Sequence, residues 1–186
     1  MLHNAILKYA SRTALIALIT IYFQAITRGD LITNKNWTIS RVMVYKYNQN
    51  ITHWILFPCF LIICIVYALK YNVLRIRIGS GVAILGSFGL IYNPVTTSSF
   101  YHLVSAGIVF LSSYFWYLEC NSVQLKVFLV SSIFFIGGFG FDRIFIDSYA
   151  PSICCMIGEL GIFITWGLMV QNTIGNTKGT KSNKVA

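Results

Sequence analysis

The chain has 186 residues, of which 56% are hydrophobic, 16% aromatic and only 10% charged, and its mean hydropathy is +0.70. Soluble domains carry roughly 25% charged residues, so this composition excludes an ordinary water-soluble globule. The net charge is +9, from fourteen Lys and Arg residues against five Asp and Glu residues. Because the cations lie between apolar runs, lipid headgroups explain them better than nucleic acid does, and we expect no nucleic-acid partner.

Six apolar runs are each long enough for a helix that crosses the hydrocarbon core, which takes about 20 residues. None of them shows the two-residue alternation of a membrane β-strand. We therefore predict an all-α fold, a polytopic six-transmembrane-helix bundle in a single membrane domain over residues 1–171. The predicted helices are 5–26, 51–71, 76–93, 100–118, 124–141 and 149–171.

The first run also invites a second interpretation, a cleaved signal peptide, because a basic start precedes an apolar stretch. No convincing small-x-small cleavage site precedes Arg28, so a membrane helix is the prediction. An outside loop is predicted over 27–50, and a polar, mobile cytoplasmic tail over 172–186. With the N-terminus in the cytoplasm, nine of the fourteen Lys and Arg residues lie on the cytoplasmic side. The positive-inside rule therefore places both termini there.

The predicted location is an integral, multi-pass position in a membrane. It is an endomembrane or plasma membrane in a eukaryote and the inner membrane in a bacterium. Two N-x-T sequons, at Asn36 and Asn50, fall in or beside the outside loop and are candidate glycosylation sites.

Polar residues near or within the predicted helices form a candidate lipid or polar site. Glu159 lies ten residues into the last helix, where an ionisable group is costly. It is either a neutral acid bonded across a helix interface or a group for headgroup contact or proton handling. His53, Asn93, His102 and Arg143 map to the outer boundary, and Arg143 offers paired donors for a phosphate. A simple solvated loop around Arg143 is the alternative.

Signals of catalysis are weak. The chain has three histidines and no HxxxH, HExxH or G-x-S-x-G pattern, so we expect no metal site and no enzyme activity. A haem between His53 and His102 is geometrically allowed, but no cofactor is predicted. Small residues such as Gly79, Ala83 and Ser87 mark faces for close helix contact, within the chain or with a partner.

The order of these features resembles the DRAM-like (Frag/DRAM/Sfk) family of six-span membrane proteins over roughly residues 5–171. The features that carry the resemblance are Trp37-Thr38-Ile39-Ser40 in the loop, the Gly-rich third helix, His102 to Ala106 with Phe110, and Ser152-Ile153-Cys154-Cys155 with Glu159. Arg41 stands where family members often have Asp. A related group of uncharacterised bacterial six-span proteins is similar in layout, including Trp166 late in the last helix.

The resemblance implies a non-enzymatic membrane protein that senses or organises lipids or scaffolds a membrane complex. Its implied partners are membrane lipids and other membrane proteins. Family members are linked to autophagy and lysosomal function, GPI-lipid remodelling, phosphoinositide kinase complexes and lipid asymmetry. One alternative is a small accessory subunit of a larger membrane assembly. A transporter or a haem-type redox protein is less favoured, since no inverted repeat relates the two halves.

Overall fold

Long apolar helices account for most of the chain. The structure, a computed structural model, describes residues 2–31, 38–71, 73–92, 99–117, 122–142 and 150–179, and it contains no strand within these ranges. The predicted all-α fold is confirmed for this part of the chain. The helices are α1 Leu2–Thr27, α2 Ile39–Met43, α3 Gln49–Lys70, α4 Leu74–Tyr92, α5 Ser99–Tyr117, α6 Ser122–Asp142 and α7 Ala150–Gly179.

Four of these helices are long and apolar enough to cross a membrane: α1, α3, α4 and the Ile153–Val170 part of α7. The apolar stretches of α5 and α6, Phe100–Trp116 and Gln124–Gly138, are shorter by the same measure. Large apolar side chains such as Ile133 are exposed on the outside of the bundle, as lipid-facing residues are. The fold therefore indicates an α-helical membrane protein.

Two helix ends differ from the sequence prediction. Helix α3 begins at Gln49, so the sequon residue Asn50 lies exposed in its first turn and not in a loop. Helix α7 continues to Gly179, past the predicted end at Gln171 and into the predicted tail. No proline follows Gln171 to interrupt the backbone hydrogen bonds, which allows the helix to continue over these polar residues.

Helix α3 contains one turn of π-helix, Thr52–Leu56, immediately before Pro58. The N–H of Phe57 donates to the carbonyl of Thr52, five residues back, in place of the usual four. Proline has no N–H and disturbs the preceding turn, so a wider turn at this point accommodates Pro58. Such π turns recur at functional positions of helices, and His53 lies in this one.

Close helix pairs are formed at glycines. A Cβ added to Gly86 on α4 lies 2.8 Å from the side chain of Val109 on α5, and one added to Gly158 on α7 lies 2.5 Å from the backbone N of Phe135 on α6. The small-residue faces therefore pack α4 on α5 and α6 on α7 within the chain. Helix α1 packs against α3 and α7. Because α3 also packs against α4, α1 connects the α4–α5 pair, through α3, to the α6–α7 pair.

The core has two parts, which define the two ends of the bundle. The proximal core lies where α1 begins and joins Leu7 to Tyr67, Trp116 and Val170. Its aromatic rings are stacked, with 5.2 Å between the ring centroids of Tyr67 and Trp116. The distal core lies toward the end of α1 and includes residues of the segment that follows α1. The proximal half is thus filled by side chains.

Candidate functional site

Residues 38–48 fold back against the distal half of α1, and we call them the plug. The side chain of Thr38 caps α2 by accepting a hydrogen bond from the N–H of Arg41 at 3.4 Å. Ile39 and Val42 of α2 are buried among apolar side chains that include Leu18 and Ile21. This part of the predicted outside loop is therefore built into the bundle, an arrangement that the sequence did not predict.

A fully buried asparagine fixes the plug to α1. The Nδ2 of Asn48 donates to the carbonyl of Ile21 at 3.1 Å and to that of Val42 at 2.8 Å. The hydroxyl of Thr52, at the start of the π turn, donates to the carbonyl of Met43 at 3.2 Å. These bonds satisfy polar groups that would otherwise be buried without partners, at a cost of about 1–3 kcal/mol each.

A second set of contacts closes the distal rim. The hydroxyl of Tyr47 donates to Asp30 Oδ2 at 2.6 Å, and the Arg28 guanidinium lies 4.4 Å from the centroid of the Tyr47 ring. Tyr45 stacks on Tyr47 with 5.5 Å between ring centroids. Partial burial and the bond to Asp30 raise the pKa of the Tyr47 phenol above its usual value. The rim therefore ties the end of the plug to the end of α1.

Glu159 holds the other side of the plug. Its side chain is 5% exposed, and its Oε2 accepts a hydrogen bond of 2.5 Å from the backbone N–H of Ile39. The first turn of a helix leaves N–H groups without intrahelical acceptors, and a carboxylate there is stabilised by hydrogen bonding and by the helix dipole. The hydrogen-bonding partner of Glu159 is thus the backbone of the plug. The sequence had predicted either a bond across a helix interface or a role in headgroup contact or proton handling.

Three of the five predicted site residues line one cavity. His53, His102 and Glu159 all contribute to a cavity of about 900 Å³. Asn93 and Arg143, the other two predicted residues, lie outside the described residues, as does the sequon residue Asn36. The cavity lies among α1, the plug, α3, α4, α5 and α7, in the centre of the helix arrangement.

Most of the cavity wall is apolar. Phe60 and Trp166 stack with 4.9 Å between their ring centroids, and both line the cavity on the side of the proximal core. Lining residues such as Ile19 on α1 and Ile164 on α7 are more than half exposed. The cavity is therefore open and not sealed by packed side chains.

Sequence reasoning missed two parts of this site, the plug and Arg12. Arg12 lines the cavity, although its sequence position did not predict it as a site residue. The Thr38 cap followed by apolar Ile39, Val42 and Met43 was the available signal for α2. Among the described residues, no three His, Cys, Asp or Glu side chains are grouped to hold a metal ion.

Comparisons with known proteins add no relative: no protein-family model matches the chain, and no curated protein or solved structure matches it significantly. The resemblance to the DRAM-like family therefore stays a prediction. What the fold and the cavity define is a class, an α-helical membrane protein with a mostly apolar cavity among its helices.

Proposed function

We propose that the protein is a non-enzymatic membrane protein that binds a lipid molecule in its central cavity and thereby senses or organises membrane lipids. In this proposal the chain is a six-span bundle with both termini in the cytoplasm, as its charge distribution favours. The observation that carries the proposal is the cavity of about 900 Å³, which is mostly apolar and is lined by Glu159, His53 and His102.

The size and lining of the cavity suit an amphiphile. Ligand pockets measure about 300–1,000 Å³ and combine apolar walls with a few polar groups that fix orientation, and this cavity meets both conditions. An alkyl chain matches walls such as Phe60 and Phe163. The imidazoles of His53 and His102 and the carboxyl group of Glu159 are the few polar groups of the wall.

In this proposal the lipid enters the open cavity directly from the bilayer. Its chains then stay in an apolar medium throughout, so entry does not require transfer of alkyl groups to water. Gly79 and Gly86 make their close contacts within the chain, whereas Gly81 and Gly137 have open space around an added Cβ. Gly79 and Gly86 therefore give the accessory-subunit alternative no support, and the cavity favours lipid binding.

A matched pair of glycine substitutions tests the proposal. Gly167 lines the cavity, and a Cβ added there meets no atom within 4 Å, so Gly167→Phe fills the cavity without a first-atom clash. Gly81 on α4 also has open space around an added Cβ but does not line the cavity, which makes Gly81→Phe the control.

The measurement is the amount of lipid that co-purifies in mild detergent, read by native mass spectrometry. We expect the wild type and Gly81→Phe to retain a bound lipid and Gly167→Phe to lose it, with the helical circular dichroism signal unchanged. Equal retention by all three folded proteins, or no retained lipid in the wild type, would contradict the proposal.

A further inference from the structure

Resting on the proposed function, we infer that the cavity selects an anionic phospholipid, whose phosphate binds Arg12 while one acyl chain lies along α1 into the cavity. The inference goes beyond lipid binding as such, because it names the class of headgroup, the end of the bundle at which the headgroup lies and the path of the chain.

Arg12 is positioned for a headgroup. It is exposed in the third turn of α1 and also lines the cavity, beside Ser11. Lys8 lies one turn earlier on the same face and is exposed as well. Neither side chain forms an ion pair with a described residue, and the guanidinium offers a fork of donors that matches phosphate oxygens. A negatively charged headgroup is therefore the complementary partner at this end.

An apolar strip leads from Arg12 along α1. Leu15, Ile19 and Phe23 follow it at positions three, seven and eleven residues later, which places them on one helix face. They are 54%, 60% and 64% exposed, and all three line the cavity. The strip from Arg12 to Phe23 is about 16 Å long at 1.5 Å per residue, which suits an acyl chain that continues from a headgroup at Arg12.

The opposite wall of this path is α7. Ile164 and Leu168 line the cavity, and both are exposed. Gly167 lies between them in sequence and leaves open space. An acyl chain along α1 is thus bounded by apolar groups on two helices, whereas the headgroup of the same lipid lies at Arg12. This arrangement separates headgroup selection from chain binding, and the two can be tested independently.

The experiment measures headgroup preference. The purified protein is equilibrated with equal amounts of phosphatidylglycerol and phosphatidylcholine in mixed micelles, and native mass spectrometry gives the ratio of the two bound lipids. A cation near a membrane surface adds roughly 1 kcal/mol to attraction of anionic lipid, which corresponds to about a fivefold change in binding. We expect Arg12→Gln to lower the ratio by about fivefold and Arg12→Lys to keep most of it.

Lys126 provides the control. It is exposed near the start of α6, two residues before Phe128 of the proximal core, and it does not line the cavity. We expect Lys126→Gln to leave the ratio unchanged. An equal decrease in Arg12→Gln and Lys126→Gln would show a diffuse surface effect and overturn the inference. An unchanged ratio in Arg12→Gln would overturn it too.

The outcome separates this inference from the proposed function. If Gly167→Phe loses both lipids while Arg12→Gln keeps the wild-type ratio, lipid binding stands and headgroup selection by Arg12 is wrong. If Gly167→Phe retains both lipids, the cavity is not the binding site and both proposals fail. Arg12 is exposed, so its substitutions leave the packed core intact.

Discussion

The carboxylate of Glu159 accepts a hydrogen bond of 2.5 Å from the backbone N–H of Ile39, a residue 120 positions earlier in the chain. Both residues are buried, and the bond connects α7 to the first turn of α2. Because Ile39 and Glu159 also line the cavity, the same contact fixes the plug and shapes the cavity wall. The acid deepest in the sequence-predicted helices thus positions the segment that the sequence left as a loop.

Removal of this acceptor is predicted to loosen the plug. Glu159→Leu leaves the N–H of Ile39 buried without an acceptor, which costs about 1–3 kcal/mol. We expect hydrogen exchange of a peptide covering residues 38–44 to accelerate by about tenfold or more, while peptides in the proximal core keep their protection. Hydrogen exchange with mass spectrometry measures both regions in one experiment.

Glu159→Gln is the matched control for this change. Its side-chain carbonyl can still accept from Ile39, so its exchange rates are expected to lie much closer to the wild type. Equal acceleration by Gln and Leu would mean that the charge of Glu159, and not its acceptor geometry, holds the plug.

Asn48 is predicted to be the most sensitive polar residue of the plug. Its Nδ2 donates to two carbonyls, and Asn48→Asp replaces this donor by an acceptor that faces the same two oxygens. We expect a loss of about 3 kcal/mol or more in stability, since a buried charge is left without a partner. Gln49→Glu makes the same chemical change at the exposed neighbour, whose Nε2 donates to Val44. A thermal melting temperature that falls equally in both variants would argue against the role of Asn48.

Tyr47→Phe tests the distal rim through its pH dependence. Because the folded-state pKa of Tyr47 is raised, its contribution to stability is fully present below the unfolded phenol pKa of about 10 and is lost as the pH rises above it. We expect the wild type to melt at a higher temperature than Tyr47→Phe at neutral pH. The gap should narrow above about pH 10. A gap that stays constant or widens at alkaline pH would show that the bond to Asp30 contributes nothing.

The α6–α7 contact is predicted to depend on Gly158. An added Cβ there lies 2.5 Å from the backbone N and 2.7 Å from the Cα of Phe135, and backbone atoms cannot rotate away. Gly158→Ala should therefore destabilise the protein by about 1–3 kcal/mol through overpacking. Gly137→Ala on α6 has open space and should be neutral or stabilising, because alanine is the better helix former. Thermal melting measures both variants, and a melting temperature that falls no further in Gly158→Ala than in Gly137→Ala would contradict the role of Gly158.

Much of the fold follows from the sequence because apolar length is a local property. Each described long helix overlaps one predicted run, and α4, Leu74–Tyr92, differs from the predicted 76–93 by two residues at most. Helix ends were less predictable where no strong signal marks them. Gln49 and Asn50 were predicted to be loop residues, but they form the start of α3. The hydrogen bond from Thr52 to Met43 of the plug stabilises this first part of the helix.

The site was partly predictable for the same reason. From their positions in the apolar runs, Glu159 could be placed inside the last helix, and His53 and His102 at the outer boundary. The plug could not, since its burial depends on Glu159 and Ile21, which are distant in sequence. Arg12 was not predicted as a site residue, because its position beside the cavity depends on how α1 packs against the other helices.

The central claim, a lipid chain inside the cavity, is tested most directly by photo-crosslinking. The purified protein is equilibrated with a phosphatidylglycerol that carries a diazirine in one acyl chain, irradiated and mapped by peptide mass spectrometry. We predict crosslinks to the cavity residues Leu160 and Phe163, which disappear in Gly167→Phe and persist in Gly81→Phe. Crosslinks confined to lipid-facing residues outside the cavity, such as Leu111 and Ile133, would contradict the account.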